Sequence, residues 1–108
     1  MTPSEFRNLA LALADTKESR HMDHPDFRVS GKVFASMGYP DKSWGMVRLT
    51  PDQQMGYVAR HPDAFVPVKG AWGRRGATGV ILKTVKKAAL RDALREAWLN
   101  IAVNHTLK

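Results

Sequence analysis

Apolar and polar positions along this chain follow two periods, and the switches between them mark its elements. Thr2 is placed to cap a first helix, Pro3 suits its first position, and Glu5 completes a capping box. Phe6, Leu9, Ala10 and Leu13 then fall on the i, i+3, i+4, i+7 stripe of an amphipathic helix, which Asp15-Thr16 ends. Residues 17–49 change to the two-residue period of strands and read as a meander. Glu18 to Asp23 alternates loosely, Pro25 breaks that run, and Phe27-Arg28-Val29 resumes it. Ser30-Gly31 signals a tight turn, after which Lys32 to Met37 sets Val33, Ala35 and Met37 on one face. Gly38-Tyr39-Pro40-Asp41 is a second turn, and Trp44 to Leu49 supplies a third strand.

Thr50-Pro51-Asp52-Gln53 repeats the helix-start signature, with Met55, Val58 and Ala59 as the expected buried face and His61-Pro62-Asp63 as the stop. Ala64–Val68 and Thr78–Lys83 read as two further extended stretches. Thr84 is the expected cap of a last helix striped by Leu90, Leu94, Ala97, Trp98 and Ile101. Met22, Met37, Met46 and Met55 are assigned to core filling. The order αβββαββα predicts an α+β fold, a mainly antiparallel β-sheet with helices packed on it, in one domain spanning residues 1–108.

Composition narrows the chemistry. With 108 residues, 44% of them hydrophobic, the chain suits a single core rather than a disordered segment. It has no cysteine, which excludes disulfides, thiolate metal sites and cysteine nucleophiles. No signal-peptide pattern or long apolar run is present, so a cytoplasmic protein without a membrane partner is expected. The net charge of +7 is unevenly placed. Eight basic and eight acidic residues balance up to Phe65, whereas nine basic residues, Lys108 among them, face only Asp92 and Glu96 from Val66 onward. That asymmetry points to an anionic partner.

Within the basic part, Lys69-Gly-Ala-Trp-Gly-Arg-Arg-Gly-Ala-Thr-Gly79 sets Lys69, Trp72, Arg74 and Arg75 among four glycines. Three uses compete for it. In a nucleic-acid wing, the arginines hold phosphates while Trp72 stacks. In a small-anion cradle, glycine amides point at a phosphate or carboxylate. In a plain hairpin loop, Trp72 folds back on the sheet edge and the arginines are solvated. The arginines are the stronger contact candidates, and Trp72 is assigned chiefly to the fold. Lys86 and Lys87 at the start of the last helix, with Arg91 a turn on, form a second cationic feature at the positive end of the helix dipole; solvated surface charge is the competing reading. A polar cluster at Glu18, His21, Asp23, His24, Asp26, Arg28 and Lys32 contains ligand and acid–base residue types. On a strand His21 and Asp23 share one face and His24 the other, so no metal or other cofactor is assigned, and an Asp26–Arg28 pair holding a His24-Pro25 corner is preferred. Acid–base catalysis by Glu18, His24 and Asp26 is a minor alternative.

Glu18-Ser19, His24-Pro25-Asp26-Phe27-Arg28, Gly31-Lys32-Val33-Phe34-Ala35, Trp44-Gly45-Met46-Val47-Arg48-Leu49-Thr50, Gly70-Ala71-Trp72-Gly73 and Ala97-Trp98 together resemble the MmcQ/YjbR family. The resemblance runs in order over essentially the whole chain. It implies a frataxin-like α+β sandwich and DNA binding through projecting β-wings, and it assigns no catalytic residue. The expected function is therefore non-enzymatic DNA binding with little sequence preference, through Lys69, Trp72, Arg74, Arg75, Lys86, Lys87 and Arg91. The alternative is an interaction domain for a small anion or an acidic protein at the Trp72 loop and the last helix start. The oligomeric state is open.

Overall fold

The computed structural model describes the backbone of residues 1–106 and the side chains of residues 1–103; Lys108 lies outside the described residues. The elements are α1 (Pro3–Leu11), β1 (Lys17–His21), β2 (His24–Val29), β3 (Lys32–Met37), β4 (Trp44–Arg48), α2 (Pro51–Arg60), β5 (Phe65–Pro67), α3 (Ala71–Arg74), β6 (Ala77–Ile81) and α4 (Lys87–Thr106). The strands form one antiparallel sheet in the order β1-β2-β3-β4-β6-β5.

The helix starts follow from local chemistry. The Thr2 and Thr50 hydroxyls accept from the Glu5 and Gln53 amides at 3.1 and 3.2 Å. The side chains of Glu5 and Gln53 accept in return from the Thr2 and Thr50 amides at 3.0 and 2.9 Å. Each box satisfies amides that a helix start otherwise leaves open.

One sheet face is covered. Phe6 and Ala10 of α1, Leu90, Leu94 and Ala97 of α4, and Phe27, Phe34, Val47, Phe65 and Val80 of the strands meet in a single core, all fully buried. Removing such side chains from water contributes about 1.5–3 kcal/mol each. Trp98 Nε1 donates to the Ala14 carbonyl at 2.9 Å, tying α4 to the chain just after α1.

The α+β class stands, while several details depart from expectation. Residues 17–49 hold four strands rather than three, because Pro25 lies inside β2 instead of breaking it. The β2–β3 ladder begins only at Asp26↔Ser36, so at Pro25 no β3 partner needs the amide hydrogen that proline lacks. Met22 and Asp23, both at positive φ, make the two-residue turn that starts β2. A register shift between Phe27 and Arg28 turns Phe34 into the core together with Ala35, and leaves Val33 only half-buried. The buried residues of α2 are Gln54 and Tyr57, not Met55 and Ala59, which are exposed. Of the four methionines assigned to the core only Met37 is buried; Met46 is half-buried, and Met22 and Met55 are exposed.

Thr84 does not cap the last helix. It sits in the turn after β6, its hydroxyl donates to the Asp63 carbonyl, and α4 begins three residues later at Lys87. Lys69–Gly79 does join two antiparallel strands, β5 and β6, but not as an open loop: α3 makes one helical turn there, and β6 has begun by Ala77.

Candidate nucleic-acid interface

Strand residues alternate faces, so each side chain buried under the helices has neighbours aimed the other way. The register sets Met46 opposite Gly79 and, across β6, Gly79 opposite Val66. Trp44 and Arg48 share that face through their spacing from Met46 on β4, as do His24 and Arg28 through theirs from Asp26 on β2. A groove of about 1420 Å³ runs over this face and on to Pro51 of α2 and Asn100 and Ile101 of α4. Its apolar lining includes Trp44, Met46, Val66 and Trp72, and its charged lining is Arg28, Lys32, Arg48, Lys69, Arg75 and Asp26. His21 and His24 also line it.

Five cations thus face one carboxylate, and that carboxylate is already engaged. Asp26, buried, accepts from Arg28 Nε at 3.0 Å and from the second guanidinium nitrogen at 3.2 Å. This bidentate contact raises the Arg28 pKa further, through the hydrogen bond first and the charge second. Among the described residues the other ion pair is Arg7–Glu18, so Lys32, Arg48, Lys69 and Arg75 reach the groove without an acidic partner.

The Trp72 segment is positioned by close packing. A Cβ on Gly73 would lie 1.6 Å from the Val68 carbonyl oxygen, and one on Gly76, which is at φ +111°, 1.9 Å from that of Leu49. The close approach these glycines permit is therefore to the chain itself. The buried Gln54 side chain donates to the Gly73 and Ala77 carbonyls, both at 3.0 Å, and Thr78 donates to the Gly76 carbonyl at 2.8 Å. The amides of Arg74, Arg75 and Gly76 are spent inside the turn, on Gly70, Ala71 and Gly73. Of the glycine amides that a small-anion cradle would use, that of Gly76 is already engaged within the turn.

Trp72 itself is 58% exposed rather than folded into the structure, and the Arg48 guanidinium lies over its ring at 5.4 Å. Such stacking fixes a cation beside an open aromatic face.

The structure brings together three of the seven residues expected at the site. Lys69, Trp72 and Arg75 line the groove; Arg74 is exposed on the same turn but does not line it. Lys86, Lys87 and Arg91 are exposed around the start of α4, past the Ile81 end of β6, whereas the Trp72 segment precedes its Ala77 end. Arg28 and Lys32, expected in the polar cluster around His24 rather than at this site, join the groove with Arg48. The alternation of Trp44, Met46 and Arg48 was the available signal for Arg48. His21 pairs directly with His24 in the ladder, so the two share a face, contrary to the expectation drawn from a continuous strand. Glu18 stands opposite the buried Phe27 and accepts from Arg7 Nε at 2.9 Å, on the helix side and away from Asp26. Glu18 is therefore apart from His24 and Asp26, which share the groove face. Among the described residues no three acidic or histidine side chains converge as a metal site, and no helix is long and apolar enough to cross a membrane.

A six-stranded antiparallel sheet with α1 and α4 packed on one face and a cation-lined groove on the other defines the class of protein. The family model for YjbR matches residues 11–100, and the chain belongs to that family. Among solved structures it is similar to Deinococcus radiodurans protein DR2400, a DUF419-domain protein, with a TM-score of 0.75 at 18% identity over 94% of this chain and 78% of that one. A comparison with curated proteins finds no match.

Proposed function

We propose that this chain binds nucleic acid on the open face of its sheet, mainly through phosphates and with little sequence preference. The observation that carries the reading is the charge of the groove: five cations, and one carboxylate that Arg28 neutralises. Phosphate contacts fall to Lys32, Arg48, Lys69 and Arg75, while Trp72 offers a stacking face. An acidic protein is the alternative occupant, since it would meet the same cations.

Neutralising about four phosphates gives a slope of log affinity against log salt of roughly −3 to −4. Anisotropy titration of labelled oligonucleotides at several salt concentrations measures it. The doubly reversed variant Lys69→Glu/Arg75→Glu is expected to lose at least about tenfold in affinity and to flatten the slope by roughly 2. Lys86→Glu/Lys87→Glu, beyond the other end of β6, is expected to bind nearly as the parent does. Absence of binding at low salt, or a salt-independent signal, would end the proposal.

A further inference from the structure

We infer that the groove takes a single strand with its bases turned toward the sheet, in preference to a duplex, and that one base stacks on Trp72. This rests on the nucleic-acid reading above and adds to it the strand state and the side chain that senses it.

Trp44 and Met46 of the open sheet face are half-buried and Val66 is exposed, so they present apolar surface to the groove. Lys69 and Arg75 come from the segment beside the sheet, and Lys32 from the start of β3. A duplex presents phosphates outward and hides the faces of its bases. Laid on this sheet, it would bring charged oxygens against Met46 and Val66, desolvating them without a partner. A single strand turns its bases one way and its phosphates the other. Its bases suit the apolar surface and its phosphates reach the surrounding cations.

Two exposed aromatics mark the path. Tyr39, 67% exposed, lies in the turn that leads into β4, and Trp72 lies beside Arg48 at that strand's end. The four steps from Trp44 to Arg48 span about 13 Å at roughly 3.3 Å each. That length accommodates about four stacked nucleotides at roughly 3.4 Å per base. Arg48 backs the Trp72 ring, so a base arriving on its open side completes a guanidinium–indole–base stack with a charge beside the phosphate.

The test compares labelled single-stranded and duplex oligonucleotides of equal phosphate number by anisotropy, on the full chain and on Trp72→Ala and Trp72→Phe. The single strand is expected to bind more tightly. Trp72→Ala is expected to weaken single-strand binding roughly five- to a hundredfold, with duplex binding unchanged and most of the loss restored by Trp72→Phe. Circular dichroism on each variant separates this from misfolding, which an exposed side chain should not cause. Equal or tighter duplex binding, or single-strand binding untouched by Trp72→Ala, overturns the inference and leaves the proposed function standing. Displacement of the single strand by polyglutamate of matched charge, as readily as by unlabelled strand, overturns it too, because the surface then reads charge alone. Failure of both nucleic acids to bind removes the inference and the proposal together.

Discussion

The two faces of the sheet are made from alternate residues of the same strands, yet they end in different states. On β4, Gly45 and Val47 are buried, Trp44 and Met46 are half-buried, and Arg48 is exposed. The covered face matches Phe27, Phe34, Val47 and Val80 with Phe6, Leu90 and Leu94 from two helices. The open face carries Trp44, Met46 and Val66, only partly buried, with cations around them. Alternation tells which residues share a face. Which face is covered is decided by the helices, whose own stripes reach only one side. An aromatic left on the other side is surface by position, whatever its size.

Stability measurements can break this contrast. Phe34→Ala empties a fully buried site and is expected to cost about 3–5 kcal/mol in urea unfolding. Trp72→Ala deletes a larger side chain and is expected to stay within about 0.5 kcal/mol of the parent, because most of it already meets water. Comparable losses would mean that Trp72 is part of the core and that the open face is not a free surface.

A smaller effect sharpens the boundary between the faces. Gly73→Ala places a methyl group against the Val68 carbonyl, and neither backbone can yield cheaply, so α3 must shift. A cost of about 2–3 kcal/mol is expected, of the size that overpacking produces. Nucleic-acid affinity should fall as well, because Trp72 and Arg75 move with the turn. Gly70→Ala has open space and only its φ of +82° to contend with, so about 1 kcal/mol is expected, with less effect on binding. If the two variants behave alike, close packing is not what positions Trp72.

What the chain revealed in advance follows the range of the interactions. Both capping boxes and the Leu90, Leu94, Ala97 stripe depend on residues three or four apart, and they were legible. Pro25 reads as a break by every local rule; only the absence of a β3 partner at that point admits it to a strand. The shift that buries Phe34 likewise belongs to the pairing of two strands. The candidate site divides in the same way. Lys69, Trp72 and Arg75 were marked by one unusual segment. Arg28 and Lys32 stood out in the polar cluster around His24, but they and Arg48 are tied to that segment only by the pairing of β2, β3, β4 and β6. Charge counting linked Lys86, Lys87 and Arg91 to that segment, but the length of β6 separates them in space.

The smallest effect concerns how the covered face is held in acid. The boxes at α1 and α2 share one geometry but differ in chemistry, since Glu5 titrates and Gln53 does not. Hydrogen bonds from the Thr2 amide and then the Thr2 hydroxyl hold the Glu5 carboxyl below its ordinary value of 4.5. A carboxyl depressed in the folded state stabilises fully above its unfolded value, and that contribution is lost as pH falls through the folded one. Glu5→Gln keeps the acceptor and removes the titration. The parent should therefore be slightly the more stable at neutral pH, and its advantage should shrink as pH drops below 4.5, read from urea midpoints along an acid series. Because α1 lays Phe6 and Ala10 on the covered face, the loss should appear in global unfolding. The open face should report nothing, with Trp72 fluorescence in an otherwise tryptophan-reduced background unchanged until the chain unfolds. A pH-independent difference between parent and variant would show that the box acts on α1 through its shape rather than its charge.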